Sequence, residues 1–423
     1  MAENTKEKII SAVFSFYRDG KIKKISLSQI AAKVGISKAA IFRHFANREE
    51  LEDTLLQTVY DRFACMVTAV QKKMDAGDFC SVLPFIIDTL CSHTEYLNYL
   101  CSVSPEFSLD TFVLEGKKRG LRMFDSVFAS DGSLQNKRFY YTTLFVCIEL
   151  LEFVYIWNSY REENNDLAYY SKRTADFIHN GLLRKEFKLS EERMDALETS
   201  CLACVLNARS VDSKLAAVSA AVAKKGYAEL TMDSIAAELG MAKSSFYSIY
   251  KNKEDMILSL LDSEFSEFGR ILCLALKETE DFDECMYSII CTTTIYFFKR
   301  KEILEACKWI EFQMVDGRNA DDRFYEIFNS PENISFKNLV FSKKDALEFP
   351  EHLKESHKNL ARNLILRTAF GESIMFLVHG IKHGFPLSAY KEIVRAVYKM
   401  LMTGVVSYTK DGNIFSYGKK EEF

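Results

Sequence analysis

The side chains best placed for chemistry in this chain are cations. From Lys21 to Arg48 there are seven basic residues and no acid: Lys21, Lys23, Lys24, Lys33, Lys38, Arg43 and Arg48. What they offer is neutralisation of an anion. With a net charge of −4 over 423 residues, the chain is no polycation, so contact with nucleic acid has to come from a local patch of this kind. Arg48 and Lys253 fall in the first turn of expected helices, where a cation opposes the helix dipole and a bound phosphate would explain the placement. Covalent and redox chemistry has less footing. No phosphate loop, metal-ligand spacing or nucleophile elbow occurs in the sequence, so the reading is a protein that is not an enzyme and needs no metal or cofactor. The eleven cysteines are an odd number, and Cys201-x-x-Cys204 is a lone pair inside a helical pattern. They read as reduced, mostly buried thiols of a cytoplasmic protein.

The elements that position the cations occur twice. Residues 26–51, SLSQIAAKVGISKAAIFRHFANREEL, align without a gap to 231–256, TMDSIAAELGMAKSSFYSIYKNKEDM, at an offset of 205. Seven positions are identical: Ile30/Ile235, Ala31/Ala236, Ala32/Ala237, Gly35/Gly240, Lys38/Lys243, Asn47/Asn252 and Glu49/Glu254. A repeat fixes the domain count, here two units of about 200 residues. Each copy follows an apolar helical stretch that stops at glycine, Ile9–Tyr17 before Gly20 and Leu215–Lys225 before Gly226. Ser26 and Thr231 are N-caps of a short helix that Gly35 and Gly240 end. A second short helix is expected from Ser37 to Phe45 and from Ala242 to Tyr250. Asn47 then opens the next helix with Glu50 three residues on, resembling a capping box. Two short helices around a glycine turn are the helix-turn-helix pattern, with the alanine pairs allowing close approach. Ile41 and Phe45 share the buried face. The outward set is Ala39, Ala40, Phe42 and Arg43, and in the second copy Ser244, Ser245, Tyr247 and Ser248.

These residues resemble the tetracycline-repressor (TetR) family of bacterial transcription regulators. The first copy matches the family pattern nearly throughout, with Phe42 where tyrosine is usual and Arg48 where lysine is usual. The second departs at Ile249 and Ala242. The resemblance implies an all-α chain of two tandem units, each with an N-terminal three-helix DNA-binding domain and a helical ligand-binding and dimerisation domain. The expected layout is a first DNA-binding domain at 1–50, a first effector domain at 51–187, a linking helix at 188–210, a second DNA-binding domain at 211–256 and a second effector domain at 257–423. It implies that the second helix of each motif enters the major groove of an operator and reads base edges with its outward side chains. Carried over, Arg43 is the best base reader, since its fork fits the guanine edge. Ala39, Ala40 and Phe42 flank it, and Ser244, Ser245, Tyr247 and Ser248 are the second-copy counterparts. Phosphate contacts would come from Ser26, Ser37, Lys38, His44 and Arg48, and from Thr231, Lys243 and Lys253. Plainer readings stand beside these: Ser26 and Thr231 as caps alone, Arg43 as a solvated cation, His44 as a packed neutral histidine.

The copies differ in charge. From Gly226 to Lys253 three bases (Lys243, Lys251, Lys253) are offset by three acids (Glu229, Asp233, Glu238). Phosphate neutralisation supplies much of DNA affinity, so the first head is expected to dominate and the second to read a weaker half-site or none. The family works as two-fold dimers. The last helices of each half, 139–160 with 166–184 and 363–383 with 388–408, are the expected interface of a covalent pseudo-dimer, with further pairing of two chains also open. Their ends are alike, around Gly181 and Gly404. Residues 188–207 read as a helical strut with Ser190 as N-cap, or as an added helix packed on the core. An apolar or amphipathic small-molecule effector is implied, with Tyr296, Trp309, Phe312, Gln313, Phe324 and His379 as candidate lining, joined by Phe297, Phe328 and Met375; an aromatic stripe is also ordinary core. The stretch 329–350 reads as a surface loop or gate. No uninterrupted apolar run of about 18 residues suggests a membrane span.

Overall fold

The computed structural model describes residues 2–18, 25–103 without 79, 109–128 without 126, 135–160, 166–182, 189–225, 231–304 without 302, 331–347 and 355–409. The regular elements among them are eighteen α-helices and short 3-10 turns, with one isolated bridge between Asp281 and Lys344 and no strand. The chain is all-α, as the resemblance implies. The described residues form two compact units, one ending at His179 and one running from Asn180 to Tyr408.

The first unit opens with α1 (Ala2–Ser15), α2 (Leu27–Val34) and α3 (Lys38–Ile41), continues through the long α4 (Arg48–Asp75), and then α5 (Val82–Ser92), α6 (Thr94–Val103), α7 (Leu109–Lys118), α8 (Lys137–Tyr160) and α9 (Leu167–Asn180). The three-helix head folds around Ile9, Val13 and Phe14 of α1, Ile30 and Ala31 of α2, and Ile41 with Phe45. Leu51, Leu55 and Val59 of α4, at helical spacing, close the same core. So do Tyr99 and Leu100 of α6. Asn98 Nδ2 donates to the Tyr17 carbonyl at 2.7 Å, and Thr94 Oγ1 to that of Arg18 at 3.2 Å, occupying carbonyls at the end of the head's first helix. The rings of Phe14, Tyr17 and Tyr99 meet edge to face at 5.2–5.3 Å.

The second unit comprises α10 (Glu191–Leu206), α11 (Ser213–Lys225), α12 (Met232–Glu238), α13 (Lys243–Ile249), α14 (Lys253–Ala275), α15 (Phe282–Lys299), α16 (Pro331–Phe341), α17 (Glu355–Lys382) and α18 (Tyr390–Thr409). Helix α15 buries fifteen of its 18 residues, which makes it the central helix of the unit. Helices α10, α14 and α17 pack against it. The connecting helix α10 is therefore a core element rather than a free strut. It is capped by Ser190 as expected, and buries Met194, Leu197, Cys201 and Val205. Its buried Glu198 accepts from Tyr287 Oη at 2.6 Å and pairs with Lys391 at 2.5 Å and Arg395 at 3.2 Å, both on α18. A buried carboxylate needs such partners to offset its lost hydration.

One further expectation changes. The stretch 329–350 is not wholly a loop, because Pro331 opens α16. Proline suits a first helical position, and Phe336 and Val340, four apart, are both buried. Residues Ala361–Lys382 are long and apolar enough on average to cross a membrane, at mean hydropathy 1.4, but Arg362, Arg367 and Glu372 break the stretch, so the expectation of no uninterrupted apolar run stands; half of the apolar window is buried within the fold.

Candidate nucleic-acid interface

In the first head α2 begins with a reciprocal cap. Ser26 Oγ accepts from Gln29 N at 3.2 Å, while Gln29 Oε1 accepts from Ser26 N at 2.9 Å. The helix closes at Gly35, whose φ of 75° lies in the left-handed region, and Ile36 N then donates back to Ala31 O at 3.0 Å. A side chain at Gly35 would meet nothing within 4 Å, so backbone conformation alone selects glycine there. The second head repeats the design. Thr231 and Ser234 cap each other's backbone N–H at 3.1 Å, Gly240 has φ 64°, and Met241 N donates to Ala236 O at 2.9 Å. Only the first alanine of each pair is buried. Ala31 and Ala236 mediate the approach, while Ala32 and Ala237 face solvent.

The reading helices differ from expectation and from each other. In the first head α3 covers only Lys38–Ile41, with Ser37 Oγ accepting from Ala40 N at 3.1 Å. The chain then tightens. Arg43 N donates to Ala40 O and His44 N to Ile41 O, both three residues back, which is how a last turn narrows to 3-10 geometry. That turn still tucks Phe45 under Ile41, each 1% exposed. In the second head α13 runs from Lys243 to Ile249 with Phe246 fully buried, and its N-cap Ala242 has no side chain to cap with. Asn47 and Asn252 cap the following helices, accepting from Glu50 N at 2.8 Å and Asp255 N at 2.7 Å. The carboxylates of Glu50 and Asp255 reach Ala46 N and Lys251 N, one residue before the cap, so the expected box is displaced by one position in both copies.

The candidate side chains of the first head form one open surface. Ala39, Phe42 and Arg43 are exposed, Ala40 and His44 half-buried, and Phe42 presents 43% of its surface. Among the described residues, Lys38 and Arg43 have no side-chain hydrogen bond or ion pair and are free to meet an anion or a base edge. Lys21, Lys23 and Lys24 lie outside the described residues. Arg48 is different, because its Nε sits 2.6 Å from Glu52 Oε1 one turn on. The acid offsets the cation's clash with the helix dipole, so no phosphate is needed to explain Arg48.

In the second head the equivalent groups are engaged internally. Lys243 Nζ lies 2.5 Å from Asp233 Oδ2, and Tyr247 Oη donates to Asp233 Oδ1 at 3.4 Å. The hydrogen bond from Lys243 holds the Asp233 carboxyl below its ordinary range, and that bond in turn raises the Lys243 ammonium. Ser248 Oγ donates to Ser245 O within the helix at 2.7 Å. Ser244 and Ser245 are exposed, Lys253 is half-buried, and Ile249, which replaces His44, is 53% exposed. Sequence reasoning missed three participants. Gln29 was signalled by its spacing three residues after a serine cap, and Glu52 by its i,i+4 spacing from Arg48. Asp233 sits ten residues from Lys243, on another helix, and no local period announces it.

Of the effector candidates, Trp309, Phe312, Gln313, Phe324 and Phe328 lie outside the described residues. Tyr296 and Phe297 are core side chains. Tyr296 Oη donates to Glu264 at 2.5 Å, and the Arg300 guanidinium both pairs with Glu264 at 2.7 Å and stacks on the tyrosine ring at 4.5 Å. The tie accounts for the polar end of Tyr296, and burial with the Glu264 hydrogen bond pushes its phenol well above the ordinary range. His379 is buried and Met375 half-buried on α17.

Two segments match the model of one family, the bacterial regulatory proteins, tetR family: residues 21–53 and residues 215–260. Each covers the helix-turn-helix just described, from the approach to its capped first helix into the long helix that follows. The chain thus carries two DNA-binding regions of the tetR family of bacterial regulatory proteins, in tandem.

Proposed function

We propose that this protein is a transcription regulator, a repressor whose first head supplies the dominant DNA contact and whose second head reads a different and weaker half-site of an asymmetric operator. The observation that carries the reading is the contrast at equivalent positions, with Lys38 and Arg43 open in one head and Lys243 held by Asp233 in the other. Arg43 reads a guanine, with Ala39, Ala40 and Phe42 on apolar base edges. Lys38 and His44 hold phosphates, aided by Ser26, Ser37 and Arg48. Ser244, Ser245, Tyr247, Ser248, Thr231 and Lys253 take the equivalent places in the second head.

One chain supplies both heads as a covalent pseudo-dimer, with the last two helices of each half as its interface and further pairing of chains as an added level. Within the second unit, Leu182 N donates to Leu401 O at 3.0 Å. A Cβ on Gly181 would come within 2.4–2.6 Å of backbone atoms of Met402, Thr403 and Gly404. Only glycine fits at position 181 within that unit. A small apolar or amphipathic effector, lined by residues from the set Tyr296, Trp309, Phe312, Gln313, Phe324 and His379, releases the operator by changing head spacing. Such a regulator works in the cytoplasm. The described cysteines are all free thiols, in keeping with that.

The test is selection of sheared genomic DNA on the purified protein at moderate salt, with footprinting of the best site. Two unlike half-sites about one turn apart support both heads as readers. A single half-site reduces the second head to a scaffold. A second reading, a regulator working mainly through a protein partner, is favoured by exposed Tyr247 and Ile249 on a neutral head. It gains if no DNA is enriched.

A further inference from the structure

The pair that occupies Lys243 has no counterpart in the first head. Asp233 stands in the first turn of α12, two residues after the cap Thr231, where the helix dipole favours a carboxylate. At the same offset of 205, the first head has Ser28, exposed and uncharged, and Lys38 stands without an ion-pair partner among the described residues. The lysine is thus one of the seven residues identical between the copies, yet its environment is reversed by a single position on the neighbouring helix. Tyr247, which follows the lysine by four residues and shares its face, is drawn to the same carboxylate.

We propose that Asp233 sets the phosphate affinity of the second head. It acts as an internal substitute for a DNA phosphate, occupying Lys243 and Tyr247 and so setting how weakly this head engages DNA. An arriving phosphate has to displace the carboxylate from the lysine and then lie close to its negative charge, so binding by this head neutralises nothing net at that contact. The inference rests on the assignment of Lys243 to the DNA-facing surface.

The test uses the full-length chain with Lys38→Ala and Arg43→Ala in the first head, so that residual affinity reports the second. The probe is a short random-sequence DNA duplex, since phosphate contact is independent of sequence. Adding Asp233→Ser should strengthen binding and steepen the plot of log affinity against log salt by about one unit. Adding Lys243→Ala to that variant should cancel both gains. Glu238→Gln removes the same charge from the same head, at an exposed residue without an ion pair among the described residues, and should give little of either. Equal gains from Glu238→Gln and Asp233→Ser would reduce the effect to bulk charge and overturn the proposal. No gain from Asp233→Ser, while the parent chain with both heads intact binds DNA, would overturn it and leave the regulator reading standing. If the parent does not bind either, both fall. Far-ultraviolet circular dichroism confirms that Asp233→Ser keeps its helices, as the retained Thr231–Ser234 cap leads one to expect.

Discussion

The two heads share a skeleton and differ in what it presents. Caps at Ser26 and Thr231, left-handed closures at Gly35 and Gly240, and buried pairs Ile41/Phe45 and Phe246/Tyr250 recur at the same offset. The outward residues have diverged to apolar groups with a free arginine on one side, and to serines with a neutralised lysine on the other. Folding constrains the inward and capping positions in both copies, because an unfolded head would cost the neighbouring core. Outward positions carry no such constraint, and one copy can lose its charge while keeping its shape.

The sharpest way to break this comparison is to attack the shared skeleton. Phe45→Ala and Tyr250→Ala remove equivalent buried rings, and each should destabilise its own unit by about 3–4 kcal/mol in denaturant melts. Only Phe45→Ala should abolish DNA binding. If Tyr250→Ala costs as much affinity, the heads are equal partners and the asymmetry is wrong. Arg43→Ala should cost about 1–3 kcal/mol at one base pair of the selected site, while its counterpart Ser248→Ala should change affinity little. Comparison of binding to single-base-pair variants of that site checks both. Ser28→Asp places in the first head the acid that the second already has. Its slope of log affinity against log salt should become shallower by about one unit, Lys38 being newly paired. The smallest effect is expected at the cap. Ser26→Ala should cost ~1 kcal/mol of stability, and an unchanged salt slope would mark Ser26 as a cap rather than a phosphate ligand.

Much of this was legible in the sequence because it is local. The repeat, the N-caps at Ser26, Thr231 and Asn47, the closures at Gly35 and Gly240 and the buried i,i+4 pairs are short-range patterns, found where the spacing puts them, while Gly20 and Gly226 lie outside the described residues. The shortened α3 was not, since the choice between an α and a 3-10 last turn depends on how Phe45 must swing to reach the core. Nor was the grip of Asn98 on Tyr17, which joins residues 81 apart. The pairing of Asp233 with Lys243 needs two helices packed at a fixed angle before it exists at all. The charge count pointed to a neutral second head, but a count cannot say which acid silences which base. For the effector region the aromatic stripe was ambiguous from the start, and no local spacing announces the tie of Tyr296 to Glu264 and Arg300, which lie 32 residues before it and four after.

The clamp on the connecting helix also has a consequence in time. Glu198 is fully buried, yet Arg395, which helps hold it, follows 197 residues later. At about 5–20 residues per second, a ribosome needs roughly 10–40 s to cover that interval. Through that delay the first head, whose described long-range hydrogen bonds to α6 span at most 81 residues, can already have closed. The second unit cannot bury Glu198 against its two cations until α18 has been made. During synthesis, then, the chain passes through a period in which one finished DNA-binding head is tethered to a body that cannot yet complete its core.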